Sequence, residues 1–561
     1  MGSTANKTSS TGNSTVIADG QRLKELVRAG MAWLQANHDH VNSLNVFPVP
    51  DGDTGTNMLL TMRSAWREIE NLKETHVGVV AQKVYHGALM GARGNSGVIL
   101  SQLWRGFARS LEQEKNLTAA TAARAIVEAS RTAYSAVQEP VEGTLLTVAR
   151  EVSEAAARTA DETADLRAVL ERSLEAARRS VEHTPELLPV LKEAGVVDSG
   201  GMGFYYILEG MLRYINDEYV DLEAATVAAA APGGEGAMIT EEILAHPYDV
   251  QFLIKGEGLD LARIRSDIEA MGDSGVIVGD PNLIKVHIHV SNPGVPLNYA
   301  SQHGALLDVV VENMQEQYHT FASKPASSAL KIEDVDPPVI EPGSVAVVAV
   351  APGRGFRNIF YSLGAGHVIE GGQTMNPSTA QILEAIESLP TDKIVLLPNN
   401  KNIHMAAEQA AHAAQGKQVI MVPTRTIPQG VAALLALDSG GDLNEIAEAM
   451  RESSEMVETG EVTHATRNAK VNGVKVKQGQ VIGLHNDVLV IAGDNLEEVT
   501  LSLLEKMGAA NLELITIYYG EDVSSAEAEA MTATIGEAFP DHEIELRYGG
   551  QAHYYYVLSV E

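Results

Sequence analysis

Apolar residues in the first 215 positions recur at the spacing of an amphipathic helix. Leu23, Leu26, Val27, Met31 and Leu34 fall on one helical face. Similar spacing predicts further helices over residues 79–90, 96–111, 119–137, 143–160, 165–181 and 201–215. Because no convincing strand pattern interrupts them, residues 19–222 are predicted to form one all-helical domain, preceded by a small, polar and disordered N-terminus at residues 1–18.

The periodicity changes after residues 223–238, a glycine-rich stretch of small residues that we interpret as a linker. Strands are predicted over residues 248–255, 275–279 and 283–290, and helices over 259–271 and 297–314. The pattern predicts a small central α+β domain at residues 239–322, with one sheet and helices on one of its faces.

A second, proline-rich linker is predicted at residues 323–343, and strands alternate with helices beyond it. The predicted strands cover residues 345–351, 368–369, 393–397, 418–422, 488–492, 512–519, 543–548 and 554–560, and one of the helices covers 378–389. This alternation predicts a C-terminal α/β domain with a parallel sheet at residues 344–561, either as one domain or as two lobes.

The 561-residue chain carries a formal net charge of −33. Such a surface repels nucleic acid and anionic lipid, so neither is an expected partner, and a bound nucleotide would need a cation to offset the charge. No run approaches 18 apolar residues, so membrane insertion is not expected. The lack of cysteine excludes disulfides and thiolate metal sites and fits a cytoplasmic protein.

The sharpest motif is LNVFPVPDGDTGTNM at residues 44–58, which places Asp51 and Asp53 two positions apart in a glycine-rich turn. Such a turn lets backbone amides approach phosphate oxygens, and the two carboxylates are ligands that Mg²⁺ prefers. The alternative interpretation is an Asp-Gly turn followed by a helix cap at Thr54 or Thr56.

Three further loops combine glycine with small polar residues at the start of a predicted helix. They are MGARGNSG at residues 90–97, EGT at 142–144 and VDSGGMG at 197–203. Free amides and the helix dipole favour phosphate at such positions, and Arg93 adds a positive charge. Four such loops in one helical domain indicate that several helix ends converge on one polyphosphate.

In this order, the loops resemble the nucleotide-binding domain of the dihydroxyacetone kinase superfamily. The full pattern is similar to the catalytic subunit of bacterial fatty acid kinase, and the resemblance continues through residues 368–379, 396–403 and 423–430. It implies an antiparallel barrel of eight helices whose aspartates hold Mg²⁺ on ATP. It also implies transfer of phosphate to a fatty acid that is presented by a separate fatty-acid-binding protein docked on the C-terminal domain. We expect a homodimer.

Residue by residue, Asp51 and Asp53 match the second and third metal aspartates of the superfamily, and Asn45 lies nearest to the first. The resemblance therefore implies one or two Mg²⁺ ions. It assigns phosphate contacts to Thr54, Gly55, Thr56, Asn57, Gly94, Asn95 and Ser96. It assigns contacts near the base and ribose to Gly143, Thr144, Asp198, Ser199 and Gly200. Arg93 is the residue expected to stabilise the transferred charge.

The middle domain carries a second group of candidate residues. His287 and His289 alternate along a predicted strand and so share one of its faces. In the resembling family a cysteine on an earlier strand joins this pair, and Asp249 stands at the matching position here. Asp249, His287 and His289, with His319 as a further candidate, could hold Zn²⁺ and contribute to catalysis. The alternative is two solvated histidines on a strand.

Two other functions are compatible with the motifs. One is a dihydroxyacetone-type kinase that acts on a small hydroxyl substrate, and the other is a nucleotide-sensing scaffold without chemistry. The C-terminal motifs contain no evident catalytic group. Asn399, Asn400, Lys401 and Asn402 follow a predicted strand, where α/β sheets usually place ligand contacts. Alternatively, they form a polar turn with Asn402 as the helix cap.

Overall fold

The computed structural model describes residues 18–45, 52–137, 139–216, 218, 248–256, 258–280, 283–313, 334–372 and 375–561. Asp51, His319, the linker at 223–238 and nearly all of the predicted disordered N-terminus lie outside these residues. The chain divides into two compact units, of which one joins Met1–Val220 with Glu333–Glu561 and the other is Asp221–Ile332.

The N-terminal part of the first unit is helical, as predicted. Its helices are α1 (Gly20–Ser43), α2 (Thr54–Ile69), α3 (Val77–Met90), α4 (Gly94–Ser110), α5 (Ala119–Ser135), α6 (Leu145–Glu162), α7 (Leu166–Leu187), α8 (Pro189–Ala194) and α9 (Ser199–Ile215). Neighbouring helices from α1 to α7 pack on each other, and α9 packs on both α7 and α1. The last helix of this part thus packs against the first. The apolar face of α1 is buried in the interior of the domain.

The C-terminal part begins with a parallel sheet of order β6-β5-β7-β8. Its elements are β5 (Val345–Ala351), α12 (Gly353–Ser362), β6 (His367–Glu370), α13 (Thr379–Ser388), β7 (Lys393–Leu397), α14 (His404–Ala413), β8 (Gln418–Met421), α15 (Ile427–Leu435) and α16 (Leu443–Glu455). Every residue of β5 is buried, as the unbroken apolar run VAVVAVA predicts for a strand covered on both faces.

A second, largely antiparallel sheet follows, with strand order β13-β12-β9-β16-β14-β15. Its strands and the helices between them are β9 (Glu458–His464), β12 (Val481–His485), β13 (Val488–Gly493), α17 (Leu496–Lys506), β14 (Leu514–Tyr519), α18 (Ser525–Ala538), β15 (Glu543–Tyr548) and β16 (Tyr554–Val560). Between β9 and β12, β10 (Ala469–Val471) and β11 (Val474–Val476) pair with each other as a separate two-stranded hairpin. The Phe356 and Tyr518 rings lie 5.0 Å apart in a core that both sheets share. The predicted parallel sheet is therefore confirmed for the first four strands only, and the second large sheet, which shares a core with it, is largely antiparallel.

The helical and C-terminal parts of this unit are packed against each other. Ala92 and Val98 of the helical part are fully buried in the same apolar cluster as Ile382 of α13. The Thr379 amide donates to the Ala92 carbonyl at 3.2 Å. Outside this cluster, the side chains of Lys470 and Glu193 form an ion pair at 3.2 Å. The start of α4 is thereby fixed against the C-terminal part.

The second unit is an antiparallel sheet of order β2-β3-β1-β4 with two helices. Its elements are β1 (Tyr248–Lys255), α10 (Leu261–Glu269), β2 (Asp273–Asp280), β3 (Leu283–Val290), α11 (Gly294–Ser301) and β4 (Ala305–Asn313). The predicted helix over residues 297–314 is wrong beyond Ser301. The segment ALLDVVVEN pairs with β1 as β4 because its run of β-branched valines favours an extended strand.

No helix in the part of the chain that the structure describes is both long enough and apolar enough to cross a membrane.

Candidate active site

The start of α2 is held by a side chain from the end of α1. Asn42 Oδ1 accepts hydrogen bonds from the Gly55 amide at 2.7 Å and from the Thr56 amide at 3.2 Å, and Asn42 Nδ2 donates to Thr56 Oγ1 at 3.0 Å. A Cβ atom at Gly55 would lie 2.3 Å from the His38 carbonyl oxygen, so this close helix contact requires glycine. Gly55 and Thr56 thus fix the start of α2 against α1, and phosphate binding by them stays a prediction.

Asp53 precedes α2, and its side chain makes no capping hydrogen bond to that helix. Its Oδ2 atom instead accepts a 2.5 Å hydrogen bond from Nδ2 of Asn376 in the C-terminal part. Arg93, which precedes α4, donates from Nη1 to the Asn376 carbonyl at 2.7 Å. Burial, and secondly the charge of Arg67, lowers the pKa of the Arg93 guanidinium below its ordinary value. Asn376 therefore contacts two predicted site residues, a role that the sequence motifs did not assign to it.

The starts of α2 and α4 lie side by side. Gly94 has a φ of +55°, a left-handed conformation that glycine adopts without strain, and a Cβ atom there would lie 2.6 Å from Asn57 Nδ2. On the other side, Thr54 Oγ1 donates to Asn45 Oδ1 at 2.9 Å. The two glycine-rich motifs are thus in contact, as a shared phosphate site requires.

A cavity of about 170 Å³ lies between these helix starts and the C-terminal part. The helical part lines it with predicted site residues, namely Asn45, Asp53, Thr54, Asn57, Gly94, Asn95 and Ser96. The C-terminal part lines it with Lys401, Asn402, Glu461, Leu484, Asp487 and Tyr554. Arg93 is not among the lining residues, and its side chain contacts Asn376, which in turn bonds to Asp53. The sequence motifs therefore predicted the residues that the helical part contributes. Of those that the C-terminal part contributes, they indicated only Lys401 and Asn402.

Two further helix starts converge on α4. A Cβ atom at Gly200 of α9 would lie 3.3 Å from Leu145 Cβ of α6 and 3.6 Å from Ser96 Oγ of α4. The expectation that several glycine-rich helix starts meet at one place is met for α2, α4, α6 and α9.

Thr144 and Asp198 act as caps of α6 and α9. Thr144 Oγ1 accepts from an amide of its own helix at 3.4 Å, and Asp198 Oδ2 does so at 2.7 Å. Burial raises the pKa of the Asp198 carboxyl to about 6, against two backbone hydrogen bonds that lower it. Together with Gly143, Ser199 and Gly200, they lie outside the lining of the cavity, and their contact with the base and ribose stays a prediction.

The turn after β7 presents Lys401 and Asn402 to the cavity. Asn399 and Asn400 are buried, and Asn399 Nδ2 donates to a carbonyl of β5 at 2.8 Å. Asn400 Oδ1 accepts from the Asn402 amide at 2.8 Å. Ile403, and not Asn402, holds the position before α14, so the interpretation of Asn402 as the helix cap is wrong. The position of this turn after a buried strand was the available signal for a ligand contact.

In the second unit, backbone register places the predicted metal residues on adjacent strands. Asp249 of β1 pairs with His289 of β3, and Gln251 of β1 pairs with His287. The side chains of Asp249, His287 and His289 are not among those described. Zinc binding at these residues therefore stays a prediction.

The cavity offers oxygen donors for Mg²⁺. The Asp53 carboxylate, the Asn45 amide oxygen and the Thr54 hydroxyl line it, and a hard cation prefers oxygen ligands. Among the described side chains, no group of three or more His, Asp or Glu is arranged to hold a metal by itself. Mg²⁺ usually takes one or two carboxylates and completes its shell with water and substrate phosphates, so the residues present fit that ion.

Three family models match the chain in succession. The DAK2 domain model matches residues 48–213, the FakA-like middle-domain model of fatty acid kinase matches 245–321, and the FakA-like C-terminal model matches 346–561. These matches cover the helical part, the second unit and the two-sheet part in turn. The chain is thus multidomain, with an N-terminal helical DAK2 domain and a C-terminal α/β domain.

Relatives of full length are found in Staphylococcus aureus. Uncharacterized proteins of strains USA300 and MRSA252 are each 40% identical over 553 residues, which is 97% of this chain and 99% of theirs. Among solved structures, DegV, a fatty acid binding protein from Bacillus subtilis, is 12% identical, with a TM-score of 0.31 over 39% of this chain and 100% of its own. The Fak B3 protein of Streptococcus pneumoniae, loaded with linoleic acid, is also 12% identical, with a TM-score of 0.26 over 39% and 99%. Scores below 0.5 do not demonstrate a shared fold.

The family models agree with the motifs on both sides of the cavity and extend over nearly the whole chain. The protein therefore belongs to the FakA-like family of fatty acid kinase proteins, a kinase family with a dihydroxyacetone-kinase-type domain at its N-terminal end.

Proposed function

We propose that the protein transfers the terminal phosphoryl group of ATP to the carboxylate of a fatty acid, which gives an acyl phosphate and ADP. A separate fatty-acid-binding protein would present the acceptor and dock on the C-terminal domain. The observation that carries this proposal is the cavity where the DAK2 helix starts meet the turns of the C-terminal part. A cytoplasmic location and a homodimer remain predictions.

The residues of the cavity would act by position and charge. Asp53 and Asn45, with Asp51 as the predicted further ligand, would hold Mg²⁺, which when bound would offset the charge of the phosphates. The starts of α2 and α4 would orient the triphosphate chain through Thr54, Asn95 and Ser96. These residues line one wall of the cavity in the structure.

A carboxylate acceptor suits this arrangement. Carboxyl groups have an ordinary pKa near 4, so the nucleophile is already ionised at neutral pH. Phosphoryl transfer then depends on in-line positioning and on neutralisation of charge, and not on removal of a proton by the protein. A small hydroxyl acceptor would in addition require a group that takes its proton.

The test is acyl phosphate formation by the full-length protein. Purified protein, Mg-ATP and a fatty acid loaded on a bacterial fatty-acid-binding protein are incubated with hydroxylamine, which converts an acyl phosphate into a stable hydroxamate. We expect hydroxamate and ADP in equal amounts, and neither product with the Asp53→Asn variant. ADP formation that depends on dihydroxyacetone, and not on the loaded carrier, would replace this proposal with a hydroxyl kinase. If no ADP forms with either acceptor, the protein has neither kinase activity, and the remaining hypothesis is a nucleotide-sensing scaffold.

A further inference from the structure

Lys401 enters the cavity from a turn that is anchored on both sides. Asn399 and Asn400 are each only 5% exposed, and the Asn399 side chain bonds to β5 and to Thr424, whose Oγ1 donates to Asn399 Oδ1 at 2.7 Å. The Lys401 side chain, which follows them, is 46% exposed. The anchoring determines where the lysine leaves the backbone, while its ammonium group stays accessible from the cavity.

A second turn positions the partner of this lysine. Lys401 Nζ lies 3.3 Å from Asp487 Oδ2, and the Asp487 side chain is 16% exposed. Asn486 and Asp487, with φ of +47° and +67°, form the two-residue connection between β12 and β13. Positive φ at both positions is typical of the tight hairpin turn that best fits strand twist. Asn486 Oδ1 also accepts from the Thr459 amide at 3.0 Å. The ion pair is therefore held between two constrained turns.

The charges that line the cavity are unequal. Asp53, Glu461 and Asp487 contribute carboxylates, and Lys401 is the only cationic side chain among the described residues that line it. A triphosphate that enters this space meets excess negative charge, in a chain whose net charge is already −33. A lysine ammonium has three donors and binds phosphate as a point charge, so Lys401 can donate to a phosphate and keep its contact with Asp487.

We propose that Lys401 contacts the terminal phosphate of the bound nucleotide. The phosphotransfer site is then composite, because the DAK2 domain supplies the helix starts and the metal carboxylates while the C-terminal domain supplies the cation. The C-terminal domain would thus take part in the chemistry in addition to docking a partner. This inference rests on the nucleotide-binding part of the proposed function, and it does not depend on the identity of the acceptor.

The first test is covalent labelling of the full-length protein with an ATP probe acylated on its terminal phosphate. The neutral Lys401 amine attacks the acyl carbonyl and forms an amide, the bond between that carbonyl and the phosphate oxygen breaks, ATP leaves, and the proton of the amine passes to solvent. Mass spectrometry of the digest should find the acyl group on Lys401, and excess Mg-ATP should suppress it. Lys470, which pairs with Glu193 outside the cavity lining, is the internal control and should not respond to Mg-ATP. A Lys401 that is unlabelled, or labelled equally with and without Mg-ATP, would overturn the proposal.

The second test separates phosphate contact from domain packing. Lys401→Ala should lower kcat/KM for ATP by roughly tenfold or more, and Lys401→Arg should restore part of it, since a charge-assisted contact to phosphate is lost and then partly replaced. Lys470→Ala removes the ion pair with Glu193 that joins the C-terminal part to the helical part. Its kcat/KM for ATP should stay within about twofold of the wild-type value, because surface ion pairs contribute little. Equal losses in Lys401→Ala and Lys470→Ala would overturn the proposal in favour of packing. If no acyl phosphate forms but labelling of Lys401 is blocked by ATP, the acceptor assignment fails and this inference stands.

Discussion

Asn42 should stabilise the first turn of α2, which contains Thr54 and directly follows Asp53. In the Asn42→Ala variant the Gly55 and Thr56 amides lose their common acceptor, and the Thr56 hydroxyl loses a donor. Loss of a side-chain cap costs about 1 kcal/mol, in a range of roughly 0.5–2 kcal/mol, and the partly buried third contact adds a comparable amount. The expected total is about 1.5–3 kcal/mol of local stability, which corresponds to roughly ten- to hundredfold more frequent opening of the first turn.

Hydrogen–deuterium exchange of the full-length protein measures this opening directly. Peptides that cover the first turn of α2 should exchange about ten- to hundredfold faster in the variant. Peptides from the start of α6, which Thr144 caps independently, should be unchanged. Excess Mg-ATP should restore protection of α2 if the ordered turn is the form that binds nucleotide.

Asn71→Ala is the matched control. Asn71 follows α2 and makes only a long, exposed contact of 3.4 Å with Glu70 Oε1 among its hydrogen bonds in the described structure. In the Asn71→Ala variant, peptides that cover the first turn of α2 should exchange at the wild-type rate. If Asn42→Ala also exchanges within about twofold of wild type at α2, the cap contributes no stability and the reasoning from its three contacts is refuted.

Three other predictions follow from the site and the second unit. Asp51→Ala or Asp53→Ala should lower Mg-ATP turnover by about 10³-fold or more while the circular dichroism spectrum is unchanged, because a predicted charged ligand of the metal is lost; near-normal turnover in both would contradict the metal assignment. Since the pKa of Asp198 is about 6 in the folded protein against 3.8 ordinarily, the folded state binds the extra proton between these pH values, so stability should fall as the pH rises from 3.8 to about 6. Asp198→Asn should flatten that part of an unfolding-midpoint profile, and an unchanged slope would exclude this carboxyl as its source. His287→Ala or His289→Ala should reduce acyl phosphate formation without weakening ATP binding, because these residues belong to the other unit. Elemental analysis before and after chelation should find about one tightly held transition metal per chain if zinc binds there, and full activity without metal would leave two ordinary strand histidines.

Local patterns predicted the elements that face a core on a regular period. The strand predicted over residues 248–255 is confirmed with the same bounds as β1, where the alternating side chains of Val250, Phe252 and Ile254 are buried on one face of the sheet. The failure over residues 297–314 occurred where apolar residues fit both a helical and an extended period. There the consecutive β-branched valines favoured the extended conformation, and the segment pairs with β1.

The cavity shows the limit of motif reasoning more clearly. Asp53, Asn95 and Ser96 stand in glycine-rich helix starts, whose local chemistry is visible in the sequence. Asn42 and Asn376 gain their roles only when α1 and the C-terminal domain pack against those starts. The Asn376 contact joins residues 323 positions apart, and the Asn42 contacts cross from one helix to the next, so the spacing within a motif encodes neither.

The two walls of the cavity are synthesised at different times, because one belongs to the helical part and the other to the C-terminal part. Domains fold as they leave the ribosome, so the helical part that bears Asp53 can form first, without its opposite wall. Residues 216–400 must still be translated before Lys401 exists, which takes roughly ten to forty seconds at about 5–20 residues per second. Tyr554, which also lines the cavity, comes later still. Every nascent chain therefore passes through an interval in which the Asp53 carboxylate has been made and Lys401, which lines the same cavity, has not.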